Sequence, residues 1–283
     1  MCEPNADEVL DLKRTALNIR KKILRMIKTG KSGHIGGAMS CVDVLTALYF
    51  RIMRIDPNNP GWRERDRFVL SAGHKCLALY AALAERGFFD ESLLDTYNHL
   101  GTRLPGHPDM HRAPGIEAST GALGHGLSVA GGMAMAAKMD GLDYRVYVIT
   151  GDGEIEEGSI WEAAAAASHH RLDNLVVFVD RNRLQISGPT RQVMNYEPLD
   201  RRWEAFGWTV REVDGHDMSA ILKISADIPF EKDRPSVIIA NTVKSKGLSF
   251  AENKAEYHQW KPTPEELEKA QRDLDRIGRE LAL

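Results

Sequence analysis

The sequence predicts an α/β protein, a doubly wound and mainly parallel sheet with helices on both faces. Three observations carry that expectation. Strand-like runs such as "DYRVYVITGDG", "NLVVFVDRN", "GWTVREVDGHD" and "PSVIIANTVKSKG" alternate with helical segments. The first two are continuously apolar, as in strands covered on both faces. No repeat or low-complexity linker interrupts the 283 residues, so they are read as one domain, 1–283, with a helical tail at about 263–283.

The elements follow in order. Residues 7–29 read as a helix, which "TGKSGHIGG" breaks with four glycines. "CVDVLTALYFRIM" is a second, mostly buried helix, and "DRFVLSAGHKCLALYAALAERG" reads as strand, turn and helix ending at Gly87. Residues 98–126 form a long stretch rich in Gly, His and Pro; irregular spans of that length are usually functional or disordered. "HGLSVAGGMAMAAKMDG" returns to helix before the strands quoted above. The tail opens with Thr263 as N-cap, Pro264 at the first helical position and Glu266 closing a capping box.

Composition excludes several classes. A net charge of −3 gives no electrostatic reason to expect nucleic acid or an anionic membrane as partner. No apolar run approaches the ~20 residues of a membrane span. The polar, acidic start "MCEPNADEVLDLKR" is not that of a signal peptide. Cys2, Cys41 and Cys76 lack metal-site spacing, and reduced thiols in a cytoplasmic protein are expected.

The chemistry concentrates in "VYVITGDGEIEEGSIWEAAAAA", residues 146–167. A buried strand hands over to a helix, and Asp152, Glu154, Glu156 and Glu157 crowd the junction. Loops at the carboxyl ends of parallel strands form the ligand crevice, and Asp152 stands at such an end. Asn182 stands at the end of the next strand. If the two strands are neighbours, these side chains face one small volume. One carboxylate with amide and main-chain carbonyl oxygens suits Mg²⁺ or Ca²⁺, and Mg²⁺ so held needs phosphate oxygens to complete its shell. Glycines beside Asp152 allow close approach of a phosphate, and the following helix offers its N-terminus. Histidines in short turns are a second signal: His34, His74, His107 and His125 each follow glycine, and His258 lies in "EYHQW". His99, His111, His169, His170 and His216 are assigned no role.

Together, "KSGHIGG", "LSAGHKCLALYAAL", "LPGHPD", "STGALGHGLSVAGGMAMA", "GDGEIEEGSIWEA", "NTVKSKG" and "YH" resemble the transketolase family, in the same chain order. The Gly-Asp-Gly segment with "DRN" about 30 positions later resembles its thiamine diphosphate motif. The resemblance covers about residues 10–262 and implies the thiamine-diphosphate-binding fold. It implies that Asp152 and Asn182 bind Mg²⁺ (or Ca²⁺) through side chains and Leu184 through its carbonyl. It places His74, Gly153, Asn182, Lys244 and His258 on the cofactor diphosphate, and Gly121, Ala122 and Leu123 toward the aminopyrimidine. It gives His34, His107 and His258 to substrate hydroxyls, and Glu157, supported by Glu162, to a carboxylate network at a subunit interface. Glu154 and Glu156 are read as a solvated face. The family has Gln at the place of His125, and Trp-His-Gly where this chain has Tyr257-His258-Gln259.

Transketolases are more than twice this long, and the chain resembles their diphosphate-binding part. The implied protein is the N-terminal subunit of a split enzyme that transfers a two-carbon ketol unit between sugar phosphates. A C-terminal partner would supply the pyrimidine domain and the glutamate that activates the cofactor, in an α2β2 assembly. The alternatives are a ketol-transferase subunit of a dedicated sugar-catabolic pathway and the α subunit of a 2-oxo acid dehydrogenase; His34, His74 and His107 argue against the last.

Overall fold

The computed structural model describes residues 4–282, so the reading of Cys2 lies outside the described residues. Five strands form one sheet: β1 (Arg67–Leu70), β2 (Val146–Gly151), β3 (Leu175–Arg181), β4 (Thr209–Asp214) and β5 (Ser236–Asn241). The order is β1-β2-β3-β5-β4 and every neighbouring pair is parallel. Side chains alternate between two cores. Phe68, Tyr147, Ile149, Phe178 and Ile238 face one cluster; Val69, Val148, Val177, Val179 and Ile239 face the other. Both faces are covered, which is why the central strands read as unbroken apolar runs.

On the first face lie α1 (Ala6–Gly30), α2 (Ile35–Ser40), α3 (Val42–Ala47), α4 (Cys76–Arg86), α9 (Met218–Ala226) and α10 (Pro264–Glu280). The second is covered by α5 (His125–Met139), α6 (Gly158–His169) and α8 (Leu199–Ala205), with the short α7 (Thr190–Val193) before it. In α1, Leu12, Ala16, Ile19, Ile23, Met26 and Ile27 recur at helical spacing on the buried side, and Asn5 caps its first turn. The capping box of α10 forms as read: Thr263 Oγ1 accepts from Glu266 N at 3.2 Å, and Glu266 Oε2 accepts from Thr263 N at 2.9 Å.

Two boundaries differ from the sequence reading. The glycine-rich break is only residues 31–34, because Gly36 and Gly37 lie inside α2. The expected helix in "CVDVLTALYFRIM" is α3 followed by a π-helical turn, Leu48–Ile52. The long span after residue 98 is irregular as expected, up to α5 at His125, and is anchored from α4: Tyr80 Oη lies 2.9 Å from the carbonyls of both Pro105 and His107. No helix among the described residues is long and apolar enough to cross a membrane.

Candidate active site

Successive strand ends deliver the functional side chains to one place. His74 follows β1, Asp152 follows β2, Asn182 follows β3 and Lys244 lies three residues beyond β5. β2 and β3 are neighbours in register, Gly151 opposite Asp180, so Asp152 and Asn182 stand side by side as the spacing required. The histidine loops are joined by a backbone bridge: Gly33 N donates to Trp260 O at 3.1 Å and Trp260 N to Gly33 O at 2.8 Å. His34 and His258, each close to that bridge, consequently face one another.

The result is a cleft of about 390 Å³ whose wall includes His34, His74, His107 and His258. The His34 ring lies 5.5 Å from His74, 6.0 Å from His107 and 5.4 Å from His258, and His74 stacks on His258 at 5.3 Å. Gly121, Leu123, Gly153, Asp152, Asn182, Leu184 and Lys244 also line it. A larger cleft, about 740 Å³, shares Asp152, Asn182 and Leu184 but holds none of the histidines. The smaller one is the candidate site because the titratable groups converge there.

Burial sets the electrostatics. Burial, then repulsion from Lys75, pushes the His74 imidazole down to about 2; burial, then Lys244, pushes His258 down to about 3. Burial lowers His34 and His107 as well, so the cleft is lined by neutral imidazoles at neutral pH. Burial lowers the Lys244 ammonium to about 8. Its Nζ donates to Leu184 O at 2.9 Å and lies 3.2 Å from His258 Nδ1. Burial and the neighbouring Asp180 carboxylate raise Asp152 to about 6.

The oxygen donors fit a hard cation. Asp152 is buried and accepts from the backbone N–H groups of Gly153 and Arg183; Asn182 Oδ1 accepts from Leu184 N at 3.1 Å. Among the described residues, no three His, Cys, Asp or Glu side chains are grouped to hold a metal. The set is thus one carboxylate, one amide and one carbonyl, which suits Mg²⁺ or Ca²⁺ completed by phosphate oxygens. Gly153 lets the Gln185 side chain pack close against the backbone: a Cβ there would lie 3.0 Å from Gln185 Cγ.

Several readings change. Glu154 is not solvated; it is buried and accepts from Ser71 Oγ, from Gly124 N at 3.0 Å and from Gly151 N at 2.9 Å. It ties the β1 and β2 ends to the start of α5, because three inward-pointing donors there need an acceptor. Glu156 is half-buried and accepts from Gln185 Nε2. Arg181, beside Asn182, points away from it, pairing with Glu197 and reaching Asn241 Oδ1 at 3.2 Å. Ala122, His125, Glu157 and Glu162 are exposed and are not part of the cleft wall.

Sequence reasoning missed Lys75 and Asp180. Both are 2% exposed in their side chains, and Lys75 Nζ donates to Asp180 Oδ2 at 2.7 Å. Ser40 and Thr242 hydroxyls also donate to Asp180. The available signal was an aspartate inside the apolar run "LVVFVD", a charge that a covered strand tolerates only when paired.

The family model "Transketolase, thiamine diphosphate binding domain" matches residues 12–275. The chain is 48% identical over 273 residues to the 6-deoxy-6-sulfo-D-fructose transketolase subunit SqwG of Clostridium sp. (strain MSTE9), covering 96% of this chain and 99% of that one. It is 50% identical over 255 residues to an apulose-4-phosphate transketolase subunit of Phocaeicola vulgatus, covering 90% of each. Among solved structures, a transketolase variant from Pichia stipitis superposes with a TM-score of 0.88 at 30% identity, over 93% of this chain but only 40% of that one. The chain therefore belongs to the transketolase family, as its thiamine diphosphate-binding domain.

Proposed function

We propose that this chain is the diphosphate-binding subunit of a two-chain, cytoplasmic transketolase that moves a two-carbon ketol unit from a ketose phosphate to an aldose phosphate. The observation that carries the reading is the convergence of four neutral histidines, Lys244 and the Asp152–Asn182–Leu184 oxygens on one cleft. The two-chain form is supported by relatives named as transketolase subunits, which the match spans over 99% and 90% of their own lengths. Residues 1–283 then act as one domain with α10 as its tail.

Asp152, Asn182 and the Leu184 carbonyl would hold Mg²⁺. Lys244, His74, Gly153, Asn182 and His258 would hold the diphosphate of thiamine diphosphate, with Gly121, Ala122 and Leu123 toward its aminopyrimidine. When bound, that cofactor supplies the carbon nucleophile and electron sink for breaking and making the carbon–carbon bond. The protein's part is proton and hydroxyl handling. The Lys244 ammonium donates to His258 Nδ1, so His258 carries its proton on Nε2 and presents a donor to the cleft. His34 and His107, also uncharged, donate and accept at substrate hydroxyls.

Glu157, the N-cap of α6, serves an interface network in this reading, supported by Glu162 on α6; both are exposed. Large apolar side chains are also left open to solvent: Val129 is 43% and Met139 80% exposed on α5, and Ile186 is 72% exposed at the cleft. A partner carrying the pyrimidine domain would bury more than about 2,000 Å² in an obligate interface, and two copies of each chain would close a two-fold α2β2 assembly. Neither nucleic acid nor a membrane enters this scheme. The dedicated-pathway and 2-oxo acid dehydrogenase readings are not favoured over it.

The test mixes purified chain, Mg²⁺, thiamine diphosphate, a ketose phosphate and an aldose phosphate, with and without the partner chain. No ketol transfer by the chain alone and turnover in proportion to complex formed are expected. Robust turnover by the chain alone would refute the two-chain reading.

A further inference from the structure

Lys244 sits on a loop with no regular structure, yet its ammonium is held at the cleft between the Leu184 carbonyl, 2.9 Å away, and His258 Nδ1, 3.2 Å away. What aims it is not in the cleft. Behind the loop, against α1 and α3, lies a largely buried group of three charged or polar side chains that the proposed reaction does not use: Arg20, Asp43 and His216. Arg20 binds Asp43 with both terminal guanidinium nitrogens, at 2.9 and 2.7 Å. His216 Nδ1 lies 2.7 Å from Asp43 Oδ2. On its other side, His216 Nε2 receives the backbone N–H of Val243 at 2.8 Å.

Those contacts settle the imidazole. An N–H can only donate, so Nε2 is the acceptor and carries no proton. Nδ1 therefore bears the hydrogen and donates it to Asp43, whose carboxylate is kept ionised by Arg20 despite burial. The Arg20 guanidinium reaches the same loop a second time, its Nε donating to Lys246 O at 3.3 Å. The group thus grips the loop at residue 243 and at residue 246, the two flanks of Lys244.

The loop needs such a grip. Ser245, next to Lys244, holds a left-handed φ of +61° that a side chain other than glycine rarely adopts. A conformation of that kind persists only where its surroundings over-determine it. Ser245 N donates to Gly36 O at 3.0 Å, Asn253 N to Lys244 O at 3.1 Å and Lys246 N to Val243 O at 3.2 Å, which hold the peptides on either side of Lys244. His216 adds a side-chain anchor one peptide upstream, at the Val243 N–H. Burying three such groups is costly compared with apolar packing, so stability alone is a poor reason for them.

We propose that His216, oriented by Asp43 and Arg20, is a positioning residue that aims Lys244 at the cofactor diphosphate. The proposal rests on the reading of the cleft as a diphosphate site. His216 itself does not line that cleft, so it acts only through the loop.

The test is a double-mutant cycle on the full-length chain, with inorganic pyrophosphate and Mg²⁺ as the probe and calorimetry as the readout. His216→Phe should weaken binding about 10-fold, the lower end of the usual effect of residues that orient a ligand-binding group. His216→Gln, whose amide accepts from Val243 and donates to Asp43, should restore most of it. In a Lys244→Met background, His216→Phe should have no further effect, because coupled residues are not additive. A full additional 10-fold loss in that background, or wild-type affinity in His216→Phe, overturns the proposal. A measurement free of mutation stands beside the cycle: ring ¹⁵N shifts of wild-type His216 should show the Nδ1–H tautomer, and the Nε2–H tautomer would overturn the proposal even if His216→Phe does not fold. If wild-type chain and Lys244→Met bind the probe equally, the diphosphate reading fails first and takes this proposal with it.

Discussion

At the scale of single residues, Asp152 is under opposing demands. Metal binding needs its ionised carboxylate, but burial and the nearby Asp180 raise its pKa to about 6. Its folded value lies above the unfolded one, so at pH 7 the metal-free fold holds a charge it disfavours by something on the order of 1–3 kcal/mol. Asp152→Asn keeps the shape and removes the charge. The variant should raise the melting temperature of the metal-free chain and abolish Mg²⁺-dependent thiamine diphosphate binding in the assembled complex. Calorimetry of both quantities checks it, and unchanged cofactor affinity would remove Asp152 from the metal set. Its place at a strand end was legible because Gly-Asp-Gly closes one apolar run and Asn182 closes the next. Glu154, two positions on, was not. Whether a carboxylate beside a helix start is solvated or gathers three donors depends on Ser71 and Gly124, distant in sequence.

Among the elements, α2 shows how local composition misleads. Its glycines look like a turn, yet Gly36 and Gly37 are helical, and they are glycines because two lysine side chains cross them where a Cβ would stand. A Cβ on Gly36 would lie 2.8 Å from Lys244 Cε and 2.9 Å from the Tyr257 carbonyl; on Gly37 it would meet Lys75 carbons at 3.1 Å. A flexible side chain yields, whereas a backbone carbonyl yields less. Gly36→Ala should therefore destabilise the chain by roughly 1–3 kcal/mol, the usual cost of overpacking. Gly37→Ala should cost less, and both are read from urea unfolding midpoints. Equal effects would mean that the Tyr257 segment moves freely. The other elements were legible wherever one period dominated. The 3.6-residue spacing of α1 and the apolar runs of β2 and β3 survive into the structure because each is buried as its pattern requires.

For the molecule as a whole, the clustered histidines make stability depend on pH. His74 and His258 titrate near 2 and 3 when folded, against an unperturbed value of about 6.5. Between those limits the unfolded chain binds more protons than the folded one, so stability rises with pH and is lost as pH falls below about 6.5. Asp152, with its raised pKa, works in the opposite direction. His74→Gln isolates one contribution: between pH 7 and pH 5 its stability should fall less than that of the wild type, by up to one proton's worth of slope. Denaturant titrations at both pH values measure the difference, and identical slopes would show that His74 is not held neutral by the fold.

The sequence by itself determined the sheet class, the main helices and the strand-end pair Asp152 and Asn182, because hydrophobic period and glycine-flanked motifs are local properties. It also marked His34, His74, His107 and His258 as unusual by their turns. Only the tertiary structure decided that these four rings share one cleft, that Lys75 neutralises Asp180 beneath it, and that Arg20, Asp43 and His216 grip the Lys244 loop. Those groups are far apart in the chain: Arg20 and Asp43 are separated by 23 positions, Arg20 and Lys246 by 226. Distance along the chain says nothing of such contacts; the parallel register of β1, β2, β3 and β5 and the packing of α1 and α3 behind them bring the partners together.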